Sequence, residues 1–329
     1  MIITEELRAK IDETKELLLN VDELEEIKDI REFKESLKSF QDETDETDWD
    51  KYNIYHYTTG DGLKSIIENK EFWFTHSSFL NDRTEIKHTH NLIDRVLNGF
   101  SSKDNQNEIE EFKKYIDPYI KDGEGIYSAS FSLDKDSNLL WSNYATDDGY
   151  NIEFDINKLD SMLDKYDNGN DDVIFGKIIS PVNYDEKIQK QLLQKELISL
   201  YKIYKYCNVN DMKEFWELSE TNRININLQS LFFKRKEFKQ EREFRIALIC
   251  VDDSKKADVL KLRIKNGACI PYAAMSFSNN KIKLPIKSIT IGPKNTLDIA
   301  EKGLRYLLKW NGFEKYDVRI KKSDIPYRY

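Results

Sequence analysis

The chain has 329 residues, of which 39% are hydrophobic and 12% aromatic, with 17 Phe, 18 Tyr and 5 Trp. At about 150 residues per domain this allows one large domain or two ordinary ones, with enough aromatic mass for a sizeable core. Three widely separated cysteines (Cys207, Cys250, Cys269) exclude a disulfide framework and a cysteine-rich zinc module. No apolar run approaches the roughly 20 residues of a bilayer span, which excludes a helical membrane protein. The acids in "MIITEELRAKIDETKELLLN" do not suit a signal peptide, so the expected location is cytoplasmic, with no membrane partner.

In chain order, residues 4–40 read as two helices. Asp22 and Glu25 form a capping box, and Leu24, Ile27, Ile30, Phe33, Leu37 and Phe40 recur at steps of three and four. Such a stripe on a charged helix needs a partner surface. The acidic "QDETDETDWDK" (Gln41–Lys51) is a core-poor linker. It sets the expected boundary between an N-terminal helical segment, 1–50, and a single α+β domain, 51–329.

"NIYHYT" then predicts a strand, Gly62–Asn69 a short helix and "FWFT" (Phe72–Thr75) a second strand. Helices are expected over Ile86–Leu97 and Glu108–Ile120. "GIYSASFSL" (Gly125–Leu133) alternates with period two as a strand does, followed by a helical "NLLWSNYA" and a strand "YNIEFD". Asp172–Tyr184 reads as a long strand or bent pair, and a helical insertion fills about 185–232. "REFRIALIC" (Arg242–Cys250), "VLKLRI" and "SITIGP" (Ser288–Pro293) are strands, Leu297–Trp310 is a helix, and "DVRIKKSDIPYRY" closes the chain. Strands with irregular helical insertions indicate α+β rather than a doubly wound α/β sheet. No Gly-rich phosphate loop occurs, since "GDG" at 60–62 lacks the following glycine and lysine.

Among the four histidines, His88 and His90 are two apart on a predicted helix, so they face different ways and cannot chelate one ion with Glu85. No G-x-S-x-G elbow supports a serine hydrolase. "FKQEREFRIAL" (Phe238–Leu248) is more informative. If the strand begins there, Glu241, Glu243 and Arg245 share one sheet face, with Arg242 and Phe244 on the other. They form either a solvated strand edge or a carboxylate pair held by Arg245 over a cleft. "IYSASFS" puts Ser128, Ser130 and Ser132 on one face of a buried-looking strand, where three hydroxyls need polar partners or a ligand. Trp141 and Tyr144, three apart on one helical side, can stack on a planar ring or pack in the core.

Five segments taken together resemble the bacterial domain of unknown function 2971 over about residues 52–329. They are "YHYTTGDGLKSIIENKEFWFTHSSFLNDRTE", "FSLDKDSNLLWSNYATDDGYNIEFD", "EREFRIAL", "IGP" and "SDIPYRY". Arg83 departs from the family pattern, which commonly has proline after the Asn-Asp. A more distant resemblance is to ADP-ribosyltransferases, including the DNA-targeting toxin type. Those folds carry His or Arg on a first strand, small hydroxyl residues on a second and a glutamate, often Glu-x-Glu, on a third. His56, Ser128-Ala129-Ser130 and Glu241-Arg242-Glu243 follow that order. The resemblance implies a mixed or antiparallel split sheet, NAD as substrate and no metal. It also implies Glu243 and Glu241 as catalytic groups, with His56, Tyr57, Thr58, Ser128, Ser130, Trp141, Tyr144 and Arg245 as NAD-binding residues. A toxin or antiviral-defence effector that modifies nucleic acid or protein is the expected role.

Two alternatives stay open at this level. One is a non-catalytic nucleotide-binding or interaction module of the same fold. The other is a nucleic-acid-processing enzyme with oxygen ligands from Asn81, Asp82 and Glu85. Residues 1–50 hold 7 Lys+Arg against 18 Asp+Glu, a net of −11, and residues 231–329 hold 23 against 11, a net of +12. The split is consistent with a basic surface restrained by residues 1–40 until a partner displaces them. A general bias to Ile, Asn, Lys, Asp, Glu and Tyr, typical of AT-rich coding sequence, accounts for scattered lysines without any partner.

Overall fold

The computed structural model describes residues 52–80, 83–103, 105–120, 125–145, 148–167, 174–207, 212–250, 259–265, 267–277, 283–295, 299–314 and 317–326. The expected N-terminal helices, the acidic linker, Asn81 and Asp82 lie outside these residues. The described residues belong to two compact units. One is drawn from Asn91–Ile120 and Lys187–Asn227, the other from Trp49–His90, Lys121–Glu186 and Leu228–Tyr329. Most of the helical insertion expected at 185–232, residues 187–227, therefore shares its unit with a second stretch, 91–120.

The first unit is helical. It contains the later turns of α2 (Arg83–Phe100), with α3 (Gln106–Ile120), α6 (Glu186–Tyr206), α7 (Met212–Leu218) and most of α8 (Glu220–Leu231). Its core is aromatic: Phe112 meets Tyr201 edge-on at 5.3 Å and Tyr204 at 5.3 Å. The buried Glu196 accepts hydrogen bonds from the side-chain amides of Asn222 (2.7 Å) and Asn225 (3.4 Å), which meets the requirement that a buried carboxylate be partnered.

The second unit is a ten-stranded, mostly antiparallel sheet, so the fold is α+β. Its strands are β1 (Ile54–Thr58), β2 (Glu71–His76), β3 (Ile126–Ser132), β4 (Tyr150–Phe154), β5 (Ile174–Pro181), β6 (Glu243–Cys250), β7 (Leu260–Lys265), β8 (Ala268–Ser276), β9 (Ile286–Ile291) and β10 (Arg319–Lys322). They run in the order β10-β9-β4-β1-β3-β2-β8-β7, with β6 on β3 and β5 on β6. Only β10 and β9 are parallel.

The branch point is β3. One of its edges pairs with β6 from Ile126–Ile249 to Ser132–Glu243. Its other edge carries β2 at Tyr127 and Ser128, and β1 only at Ser132, opposite Tyr55. Between those contacts the sheet forks, and no described strand pairs with that edge at Ala129–Phe131.

Side-chain alternation sorts the two faces of this fork. Phe244, Ile246 and Leu248 of β6 and Tyr127 and Phe131 of β3 enter the main core, with Ile54, Phe74, Ile152 and Phe154. Leu63 and Ile67 of α1 (Gly60–Asn69), Leu159 and Leu163 of α5 (Ile156–Asp167) and Leu304 and Leu308 of α9 (Ala300–Trp310) cover it. The opposite face carries Ser128, Ser130 and Ser132, paired across strands with Ala247, Arg245 and Glu243. Leu228, Leu231 and Phe232 pack against Ile126 and Ala247 on that side. Helix α1 begins where Thr59 Oγ1 accepts from Gly62 N at 3.2 Å and ends at Lys70, which has a left-handed φ of 51°.

Four elements differ from the sequence-based expectation. The strand β8, "ACIPYAAMS", and helix α5 were not assigned from sequence. β8 has few β-branched residues, and its pairing with β2 and β7 supplies the order that propensity does not. Of the long strand or bent pair expected over Asp172–Tyr184, the described residues form one strand, Ile174–Pro181, which ends before Tyr184. Glu241 ends a 3-10 turn, Lys236–Glu241, and is not on the strand. Arg242 then takes φ 44°, and β6 starts at Glu243.

A second helix, α4 (Asn138–Tyr144), anchors a smaller cluster of Tyr57, Leu140, Trp141 and Ala145, against which Ile325 packs. Asp136 ties it together, accepting from Trp141 Nε1 (2.7 Å), Ser323 Oγ (2.7 Å) and Asp324 N (2.9 Å). Gly292 is required here, because a Cβ would sit 2.8 Å from Gly149 O and 3.0 Å from the Trp141 ring. The "IGP" and "SDIP" motifs thus serve packing.

Candidate functional site

The fork in the sheet opens into a cavity of about 420 Å³, within the usual range for small-molecule sites. Tyr55–Thr58 of β1, Thr75 of β2, Ser128–Ser132 of β3, Tyr144 of α4 and Glu243 and Arg245 of β6 all contribute to its wall.

Five buried charged residues form one end: Glu85 of α2, Lys234, Glu241, Glu243 and Arg245. Arg245 Nε donates to Glu243 Oε1 at 2.7 Å and Nη2 to Glu243 Oε2 at 2.9 Å. Its Nη1 and Nη2 donate to Glu85 Oε2 and Oε1 at 2.9 and 2.8 Å, and Nη1 also donates to Leu231 O. Lys234 Nζ reaches Glu241 Oε2 at 2.5 Å, Glu243 Oε2 at 3.0 Å and Glu85 Oε1 at 3.3 Å. Glu243 N donates to Tyr184 OH at 2.9 Å. Three carboxylates face two cations, which leaves one excess negative charge beside the cavity.

This arrangement fixes the electrostatics. Burial alone would raise the Glu243 pKa, but the Arg245 and Lys234 cations, with hydrogen bonds from Arg245 and Ser130, hold it at about 2. Burial would also lower the Lys234 and Arg245 pKa values, and the surrounding glutamates raise both instead. Glu243 is therefore a permanently ionised, weakly basic carboxylate at neutral pH. That character suits stabilising positive charge better than taking a proton.

The solvated-edge reading of Glu241, Glu243 and Arg245 does not hold: all three are buried, and β6 lies between β3 and β5. Glu241 joins the site through Lys234 and a 3-10 turn, not through strand alternation. Lys234 gave no signal in the sequence. The sequence offers Glu85 as a metal ligand, whereas Arg245 occupies it. Among the described residues no group of three His, Cys, Asp or Glu is arranged to hold a metal.

His56 lines the same cavity, but from the face of Ile54 and Phe131. Its ring meets Phe131 edge-on at 5.8 Å, and its Nδ1 lies 3.3 Å from Ser130 O. Burial lowers its pKa, so it is neutral at pH 7. It makes no hydrogen bond or ion pair with Glu243. The two are brought to one cavity by the fork rather than by contact. Ser130 is open to the cavity, Ser132 Oγ donates to Glu241 O at 2.7 Å, and Ser128 Oγ, in a residue only 2% exposed, has no hydrogen-bond partner among the described residues.

The aromatic residues divide. Tyr144 is 43% exposed and faces the cavity. Trp141 is 3% exposed, does not line the cavity, and meets Tyr57 edge-on at 4.9 Å. The Tyr57 hydroxyl donates to Asp134 O at 2.8 Å and accepts from Ser137 N at 3.0 Å. Trp141 is thereby committed to packing, and Tyr57 largely so.

Over residues 140–246 the chain matches the model of a family described as a protein of unknown function, DUF2971. The matched stretch contains Lys234, Glu241, Glu243 and Arg245 but not β1, β2 or β3. No curated protein and no solved structure matches the chain. Among the described residues no helix is long and apolar enough to cross a membrane.

Proposed function

We propose that the cavity binds NAD and that the protein is an ADP-ribosyltransferase-like enzyme of the split-sheet type, acting as an effector on a nucleic acid or protein acceptor. The observation that carries this reading is Glu243: a carboxylate locked as an anion by Arg245 and Lys234 at the wall of a forked-sheet cavity. Cleavage of the bond between the nicotinamide nitrogen and ribose C1′ sends the electron pair to nicotinamide, which leaves neutral. Positive charge builds on the ribose. A preorganised anion stabilises that charge without reorganising. An acceptor nucleophile then bonds to C1′ and gives its proton to Glu241, acting as general base. In this reading Ser128 and Ser130 hydrogen-bond the ligand, His56 contacts the adenine-side ribose and Tyr144 stacks on the nicotinamide ring.

The test is free nicotinamide released from NAD by the purified full chain, with and without nucleic acid or protein acceptors. Release that disappears in Glu243→Gln supports the reading. Neither turnover nor binding of NAD by the wild-type chain defeats it.

One observation favours a second reading, a non-catalytic module. Glu243 already accepts three hydrogen bonds from Lys234 and Arg245, so the charged cluster can serve purely to hold the sheet to the start of α2. In that case Glu243→Gln lowers stability and alters no reaction.

A further inference from the structure

Arg263 of β7 also lines the cavity, away from the glutamates. Register places it on the polar face: Thr75 pairs with both Ser128 and Tyr272, and Tyr272 pairs with Lys261, two residues before Arg263. Its Nη2 donates to Thr75 Oγ1 at 2.8 Å, and its guanidinium lies 5.4 Å from the Trp73 ring centre and 5.7 Å from that of Tyr272. Trp73 is 39% exposed beside it. Arg263 is half-buried, and its Nε is shielded from solvent with no acceptor among the described residues. Among the described residues no carboxylate pairs with it. The nearby Glu71 is engaged by Lys261 Nζ at 2.9 Å and Trp73 Nε1 at 2.7 Å.

A partly desolvated guanidinium with one shielded N–H left without an acceptor gains from an anion that approaches it. Burial lowers the Arg263 pKa, the direction expected for a guanidinium with no anion beside it. Ser128 Oγ, buried and unpartnered, lies on the neighbouring strand beside Thr75. Arg263 and Ser128 both line the cavity, and each holds a shielded polar atom without a partner among the described residues.

We propose that Arg263, with Thr75 and Ser128, forms a phosphate-binding subsite at the end of the cavity opposite Glu243, and that Trp73 supplies a ring face beside it. The ligand is an extended phosphorylated nucleotide. Two strand spacings and four residues along a strand separate the Cα atoms of Thr75 and Glu243, roughly 16 Å on ideal sheet geometry. An inorganic ion does not bridge that span, whereas a nucleoside diphosphate with a further sugar does. The inference rests on the proposal that the cavity holds a nucleotide, but it does not require the nucleotide to be cleaved.

The experiment is calorimetric titration of ADP and of adenosine into the full chain, wild type, Arg263→Gln and Arg263→Lys. ADP is expected to bind the wild type and adenosine far more weakly. Losing charge-assisted hydrogen bonds in Arg263→Gln should weaken ADP about tenfold or more and leave adenosine unchanged. Arg263→Lys should fall between, because it keeps the charge and loses the planar fork. Equal affinity for ADP and adenosine, no ADP binding at millimolar concentration, or an unchanged ADP affinity in Arg263→Gln would each overturn the subsite. ADP binding that depends on Arg263 in a protein that never consumes NAD defeats the catalytic proposal and leaves the subsite standing. NAD turnover with an unchanged KM in Arg263→Gln does the reverse.

Discussion

Arg245 and Glu85, 160 residues apart, form a two-pronged buried ion pair at 2.9 and 2.8 Å that fastens the start of α2 to the centre of the sheet. The pair is inseparable from the site, because the same guanidinium holds Glu243. Removing Glu85 leaves Glu241 and Glu243 to balance the two cations, so the loss is that of charge-assisted hydrogen bonds, typically about 1.5–3 kcal/mol. Glu85→Ala should therefore lower the unfolding free energy by about 3 kcal/mol in urea titration. A loss below about 1 kcal/mol would mean that water replaces the carboxylate readily.

Trp141 separates packing from binding. Its indole donates to Asp136 and its ring abuts Tyr57, away from the cavity. Trp141→Phe should lower the melting temperature by several degrees, as expected for a lost buried hydrogen bond and core volume. The KM for NAD should be unchanged. A raised KM with an unchanged melting temperature would return Trp141 to the ligand.

Stability should fall in two acid windows. His56 has a folded pKa below its ordinary 6.5 because of burial, so below pH 6.5 the unfolded chain takes a proton that the folded one refuses. Its contribution is present above pH 6.5 and fades as pH falls. Glu243, held at about 2 against an ordinary 4.5, contributes stability above pH 4.5 that is lost between 4.5 and 2. Urea midpoints measured from pH 8 to 3 should show both declines, and His56→Gln should remove only the upper one. An upper decline that persists in His56→Gln would assign it elsewhere.

The two glutamates should separate kinetically. Glu241→Gln removes the proton acceptor, so transfer to an acceptor should slow by about 100-fold with the KM for NAD retained. A Glu241→Gln enzyme of wild-type rate would remove Glu241 from the chemistry.

Much of the sheet was legible because its local patterns are strong. "IYSASFS" and "EFRIAL" alternate cleanly, so the faces of Ser128, Ser130, Glu243 and Arg245 followed from period two, as their cross-strand pairing shows. Glu241 illustrates the limit. Its placement depends on the left-handed Arg242 and a 3-10 turn, which alternation does not encode. Lys234 and Glu85 were illegible as site residues because their partners are fixed by tertiary folding rather than by spacing. The same holds for Arg263, whose relation to Thr75 exists only once the unassigned β8 joins β7 to β2. Trp141 carried an aromatic signal that suited a ligand and a core equally, and the hydrogen bond to Asp136 commits it to packing.

The most direct test of the account is nicotinamide release and unfolding measured on the same preparations of wild type and Glu243→Gln. Release by the wild type is expected, with a fall of roughly 100-fold or more in the variant, by analogy with removing one preorganised electrostatic group. The variant should remain folded at the assay temperature. Equal release by both proteins, or a folded wild type that neither binds nor consumes NAD, would contradict it.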